Sequence, residues 1–278
     1  MLKLIRESNS INKMYNKLLL HGKRIIITAP RVYAVRLSSA LINQGALPLF
    51  MPVIETSPLE DFTILDEHLR KINTYDSIAF TSRNGIDAVS KRMRELKMDT
   101  SLLQQIHLCA IGKDAELLEA LGAEVDVIPE EPSPTGIIRE LAKISDIEGK
   151  NILIPASEVI GIPEPDVIPN FVAGLEKLGM NVTRVTAYQT RSLDKEIYNV
   201  ELELIRQGKV DVIAFSSSAE ISAFLNMCDV SDYQNTVIAC FGPYTGANAR
   251  KLGLNVSIIA DDFSSFDGFA AAIASHFN

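Results

Sequence analysis

Hydroxyls and small residues, rather than imidazoles, thiols or paired acids, occupy the places in this sequence that are best suited to chemistry. Thr81-Ser82-Arg83-Asn84 and Ser216-Ser217-Ser218 each follow a short apolar run, and Gly242-Pro243-Tyr244-Thr245 follows a third. Thr28-Ala29-Pro30-Arg31, Gly112-Lys113-Asp114 and Pro155-Ala156-Ser157 close three more runs of the same kind. Hydroxyls and open backbone N–H groups where helices begin suit an anionic ligand. Arg83 and Lys113 are the cations that a ligand's carboxylates would meet there.

Each of these features also has a plainer reading. Ser217 followed by Glu220 is an S-x-x-E capping box, Ser82 or Asn84 can cap the next helix, and Gly242-Pro243 is a helix start with proline at its first position. Tyr188, within the alternating segment 182–190, reads as an amphipathic packing residue. Recurrence of a Thr/Ser-Ser pair after the same kind of run favours a ligand, because two such loops can serve one molecule.

Other chemistries find no support. His21, His68, His107 and His276 form no HxH or HExxH pair, so no metal site is expected. Cys109, Cys228 and Cys240 lack ligand spacing and read as core thiols of a reducing compartment. There is no GxGxxG and no GxxxxGK[ST], which disfavours dinucleotides and nucleoside triphosphates. With 27 Lys+Arg against 35 Asp+Glu the net charge is −8, which argues against a nucleic-acid or membrane-surface partner. No stretch approaches the ~18 apolar residues of a membrane span. Residues 1–21 are mixed in character and read as a frayed or docking extension of a cytoplasmic protein, with a removed plastid transit segment as the alternative in a photosynthetic source.

The elements that must position these groups come in two copies. Residues 76–86, DSIAFTSRNGI, align without gaps on 211–221, DVIAFSSSAEI, and share six of eleven residues. Gly22-Lys23 precedes one apolar run and Gly149-Lys150 another, while Leu121-Gly122 matches Leu252-Gly253. Near-continuous apolar runs at 25–28, 78–81, 107–111, 152–154, 212–215 and 237–241 read as strands covered on both faces. Ile221, Phe224, Leu225 and Cys228 form a helical stripe, and Gly122 and Gly253 stand where helices must end left-handed. The alternation implies two α/β units with parallel sheets, in which ligands bind beyond the carboxyl ends of the strands. On the repeat alone the boundary falls near residue 148.

IAFTSRNGI, AIG followed by LGAEVDVIPEEPSPTGI, VTAYQT, IAFSSSAEI and FGPYTGANARKLGLNV stand in family order and spacing, and on them the chain resembles the uroporphyrinogen-III synthase (HemD) family from about Lys23 onward. The resemblance implies two similar, flavodoxin-like, parallel-sheet α/β domains joined by a two-stranded antiparallel linker at 54–57 and 188–191. One domain would comprise 1–53 and 190–278, the other 54–189, with the active site in the cleft between them. It implies a hydro-lyase that closes hydroxymethylbilane into uroporphyrinogen III with inversion of ring D through a spiro intermediate, without metal or cofactor. A monomer is implied, with transient contact to porphobilinogen deaminase. Tyr188 becomes the catalytic residue, aiding loss of the hydroxymethyl oxygen as water. Thr81, Ser82, Arg83, Asn84, Gly112, Lys113, Ala156, Ser157, Ser216, Ser217, Ser218, Gly242, Pro243 and Thr245 become substrate-binding residues. The alternative is a non-catalytic two-lobed binding or regulatory protein of the same fold.

Three departures from the family pattern bear on carboxylate binding. Lys113-Asp114 replaces a threonine often found after Gly112, Thr28-Ala29-Pro30 stands where Thr-Arg-Pro is usual, and a proline-containing loop at 157–170 lengthens the second copy.

Overall fold

The computed structural model describes residues 18–278, and ten strands run through them: β1 (Arg24–Ile27), β2 (Leu47–Phe50), β3 (Ile54–Ser57), β4 (Ser77–Phe80), β5 (His107–Ala110), β6 (Asn151–Ile160), β7 (Asn181–Ser192), β8 (Val212–Phe215), β9 (Val237–Cys240) and β10 (Val256–Ile259). The extension expected over residues 1–21 lies, for 1–17, outside the described residues. Leu20 is fully buried and its N–H donates to Gln44 O, so the segment just after them belongs to the core rather than to a frayed extension. No described helix is long and apolar enough to cross a membrane.

Two five-stranded sheets form. The first has the order β2-β1-β8-β9-β10, and all its neighbouring pairs are parallel. The second has the order β3-β7-β6-β4-β5, with β4 parallel to both β5 and β6. A parallel bridge from Cys109 to Val127 extends it beyond β5. Set side by side, β10-β9-β8-β1-β2 and Val127-β5-β4-β6-β7 are one design used twice, and β3 is the addition. Each sheet draws strands from both sequence copies, because the chain leaves the first sheet after β2 and returns to it at β8. The described residues accordingly divide into two compact units, 18–55 with 191–278, and Thr56–Thr190, and the boundary at 148 read from the repeat gives way to these.

Burial on both faces explains the apolar runs. In the second unit Ile78, Phe80 and Leu108 enter one core cluster while Ala79, Cys109 and Ile152 enter another, as alternate residues of a strand point to opposite faces. In the first unit Ile25, Ile27, Val212 and Ala214 share a cluster with the helices Arg31–Asn43 and Phe266–His276. Gly122 and Gly253 have φ of 83° and 91° just beyond their helices, which only glycine adopts without strain. All three cysteines are free and buried, and burial pushes the Cys109 thiol up to about 12.

Two readings need correction. The helix carrying Ile221 and Phe224 spans Ser218–Leu225, so Cys228 lies beyond it, although still buried. The 157–170 segment is not one loop: β6 runs on to Ile160, and the helix Val167–Lys177 takes up Pro169 in its first turn, where its missing N–H costs nothing. Strand β7 beside it sustains the extension, with Ser157 Oγ donating to Thr190 Oγ1 at 2.7 Å and Gln189 Nε2 to Glu158 Oε2 at 2.9 Å.

Phe224 is fully buried, with Phe215 5.3 Å away edge-on and Tyr233 at 5.4 Å. Replacing Phe224 by Ala should cost ~3–5 kcal/mol of stability in urea unfolding, because the surrounding rings cannot collapse into the space. A loss below ~1 kcal/mol would show that this core repacks freely.

Candidate active site

Parallel strands deliver their carboxyl ends to one edge of the sheet, and in both units that edge carries the serines singled out above. Ser82 follows β4 as the N-cap of the helix Arg83–Glu95, where its Oγ accepts from Gly85 N at 3.3 Å. Ser217 caps Ser218–Leu225 in the same way, its Oγ accepting from Glu220 N at 3.4 Å. Capping and site placement are therefore the same fact: the cap holds each hydroxyl at the strand end.

The two units then treat the equivalent serine differently. In the second unit Ser82 Oγ lies 2.9 Å from Tyr188 OH, a contact in which either oxygen can donate. Tyr188, on β7, packs against the core and lines a cavity of about 210 Å³. Burial raises the phenol's pKa, the Ser82 hydrogen bond partly offsets this, and the charge of Asp114 adds to it. Tyr188 thus stays protonated, as a donor, at neutral pH. In the first unit Glu220 stands at the alignment position of Gly85, and its carboxyl reaches Ser217 Oγ at 3.0 Å.

The same cavity joins Asn84, expected from the sequence, to residues that sequence reasoning missed. Asn84, Asp87, Ala88, Lys91, Arg92 and Glu95 line it from one helix, together with Thr56, Ser57 and Phe62. Their spacing of three and four is the signal that was available, since it puts them on one helical face. Arg92 donates to Asp66 from Nε at 2.7 Å and Nη2 at 2.8 Å, and lies 4.3 Å from the centroid of Phe62. That bidentate partner holds the Asp66 carboxyl below its ordinary range.

The remaining expected residues occupy varied settings. Thr81 and Asn84 are half-buried on either side of the Ser82–Arg83 pair. Arg83 pairs with Asp87 at 3.7 Å on the helix surface, an interaction weak enough to be exchanged for a ligand carboxylate. Gly112 turns with φ 52° at the end of β5, and Lys113 is exposed beside it. Thr245 is buried in the first turn of the helix Pro243–Lys251, which has Gly242 as its N-cap and Pro243 at its first position. Ser218 Oγ is buried without a hydrogen-bond partner. Ala156 and Ser157 do not follow a strand end as expected, since β6 continues through them, with Ala156 buried and Ser157 Oγ donating to Thr190 Oγ1. Among the described residues no cluster of three His, Cys, Asp or Glu is arranged to hold a metal. A second cavity, of about 440 Å³, lies by Ser77 and His107 at the starts of β4 and β5, away from the edge where α/β sheets bind ligands.

Known proteins share this sequence pattern and this fold. The sequence profile of the family described as uroporphyrinogen-III synthase HemD matches residues 35–269. A uroporphyrinogen-III synthase of Synechococcus elongatus is 26% identical over 263 residues, 91% of this chain and 94% of that protein. The chloroplastic uroporphyrinogen-III synthase of Oryza sativa subsp. japonica is 26% identical over 255 residues, 90% of this chain and 79% of that one. A mutant uroporphyrinogen III synthase of Thermus thermophilus superposes with a TM-score of 0.65 at 17% identity, covering 91% of this chain and 100% of that chain, which is a likeness of fold.

The raised phenol pKa can be measured. Between the unfolded value of ~10 and the higher folded one, the native state keeps a proton that the unfolded state has lost, so this group's contribution to stability falls as pH rises through that window. The tyrosinate absorbance that Tyr188→Phe removes should therefore appear only above the ordinary range in the wild-type titration. Its appearance below pH ~10 would contradict the burial argument.

Proposed function

The chain belongs to the uroporphyrinogen-III synthase family, and from that premise we propose that Tyr188 and the strand-end hydroxyls carry out the closure of hydroxymethylbilane to uroporphyrinogen III in tetrapyrrole biosynthesis. The single observation that carries the assignment is the Tyr188 phenol: protonated, tied to Ser82 Oγ at 2.9 Å, on a residue that lines a cavity. With Ser82 donating to the phenol oxygen, the phenol's own proton is left for a substrate oxygen.

The chemistry follows from that proton. Loss of the hydroxymethyl oxygen as water leaves an electrophilic azafulvene, and a donor at the departing oxygen lowers the barrier. Attack from the substituted carbon of ring D gives the spiro intermediate, which fragments and recloses with ring D inverted. Phenol is a weak acid, so its help is modest, and the larger contribution is geometric: the protein holds the ends of a flexible chain so that the spiro route prevails. A cavity of about 210 Å³ is smaller than the ~300–1,000 Å³ that encloses a drug-sized ligand, so it receives one end of the tetrapyrrole. Ser82, Arg83, Asn84 and Lys113 in one unit, and Ser216, Ser217, Ser218 and Thr245 in the other, are then proposed to meet the substrate's carboxylates. The reading includes a monomeric enzyme and transient contact with porphobilinogen deaminase, both resting on the family resemblance, and a cytoplasmic setting, or a plastid in a photosynthetic source, read from the sequence.

Hydroxymethylbilane closes spontaneously to the type I isomer, so the isomer formed, not substrate consumption, is the readout. The protein should yield the type III isomer in an assay coupled to porphobilinogen deaminase. Type I alone from folded protein would reject the proposal in favour of a non-catalytic binding protein.

Replacing Tyr188 by Phe keeps the ring and removes the donor. Turnover should fall roughly tenfold to a few hundredfold with the fold intact, the range of general-acid effects. An unchanged rate, with chemistry limiting, would return Tyr188 to packing.

A further inference from the structure

Glu220 is the third residue after the N-cap Ser217, where the glutamate of a capping box would turn back to the cap's own N–H at the surface. It does not do so. The residue is 1% exposed, and its carboxyl runs inward to four polar atoms, none of them a cation. Ser216 N donates to Oε2 at 2.9 Å, Ser216 Oγ and Ser217 Oγ donate to Oε1 at 2.5 and 3.0 Å, and Thr28 Oγ1 lies 2.7 Å from Oε2.

Thr28 supplies a count of protons. Its hydroxyl has one hydrogen and two oxygens within reach, Ala214 O at 2.9 Å and Glu220 Oε2 at 2.7 Å. If Glu220 is ionised, one of these contacts has no hydrogen. If Glu220 is an acid with its proton on Oε2, it donates to Thr28, Thr28 donates to Ala214 O, and the three serine contacts are still accepted. Each of these close contacts then has a hydrogen, whereas beside an ionised Glu220 the 2.9 Å approach of Thr28 Oγ1 to Ala214 O, a carbonyl that also accepts from Thr28 N at 3.4 Å, would have none. Burial likewise raises the pKa of this carboxyl, against the opposing effect of its hydrogen bonds. The titratable group facing it from β9 is Cys240, a thiol pushed up to about 12 and so uncharged.

Its place in the sheet makes this more than a structural detail. Strand order reverses between β1 and β8, since β2 lies on one side and β9 and β10 on the other. Such a switch point opens the crevice in which α/β sheets bind ligands. Thr28 follows β1, and Ser216 and Ser217 follow β8. We propose that Glu220 is a positioning residue, a neutral carboxylic acid at pH 7 that ties Thr28 to Ser216 and Ser217 and fixes the hydroxyls that receive the substrate's carboxylates. The proposal rests on the synthase reading for what those hydroxyls bind. A neutral acid sets their geometry without placing a negative charge beneath a polyanionic substrate, which an ionised one would repel.

Infrared spectroscopy of the wild-type protein at pH 7 should show the C=O band of a protonated carboxyl, lost in Glu220→Gln. Absence of the band would overturn the proposal without need of any variant, and so would a band that survives in Glu220→Gln. In steady-state assays of type III formation, Glu220→Ala should raise KM about tenfold, with kcat changed less than about threefold. Glu220→Gln, uncharged and able both to donate and to accept, should recover most of that loss. A Glu220→Gln variant as impaired as Glu220→Ala would show that a charge is needed, and a kcat defect with unchanged KM would show that the residue does not position binding groups. If wild-type protein forms no type III isomer, the synthase reading fails separately, while the infrared result still decides the state of Glu220.

Discussion

A parallel strand can be re-entered only from the end at which its neighbours also begin, and this constraint organises the molecule. Each strand must be followed by a connection that crosses a face of the sheet, so both faces become covered and the strands become apolar throughout, as in β4 and β8. All carboxyl ends then collect at one edge, where helices start and their first N–H groups need partners. The residues that cap helices well are hydroxyl-bearing, so the edge that must be capped is also the edge equipped to bind an anion. Ser82 and Ser217 express both consequences at once.

From that common frame the two copies diverge by a single local choice. At the third position after the cap one copy has Gly85 and the other Glu220. A Cβ at Gly85 would lie 3.2 Å from Pro155 O, so the second unit is packed too closely there for a larger side chain without adjustment. The partner of Ser82 comes instead from β7, as the Tyr188 phenol. In the first unit the carboxyl of Glu220 turns inward and serves Ser217, Ser216 and Thr28 together. One unit thus ties its serine to a phenol that lines a cavity, and the other to a buried carboxyl.

The exchange of strands between sheets gives this divergence its reach. Because β1 and β2 stand with β8, β9 and β10, Thr28 from near the start of the chain meets Glu220 across 192 positions of sequence. Likewise β6 stands beside β4 with β7 next to it, which brings Tyr188 to Ser82 across 106 positions. Both polar contacts on which the functional reading depends are products of this arrangement, not of either sequence copy by itself.

Local signals were legible without any structure: the α/β alternation, the doubled IAF strand with its serine tip, the caps Ser82 and Ser217, the proline at the start of Pro243–Lys251, and the turns at Gly122 and Gly253. Each is decided by interactions within three or four residues, which spacing records directly. The strand order, the inward turn of Glu220, the continuation of β6 through Ala156 and Ser157, and the partnership of Tyr188 with Ser82 were decided only by tertiary structure. Buried parallel strands look alike in sequence, so their apolar runs do not say which of them are neighbours. The polar contacts between their ends depend on that neighbourhood, and no local pattern carries it.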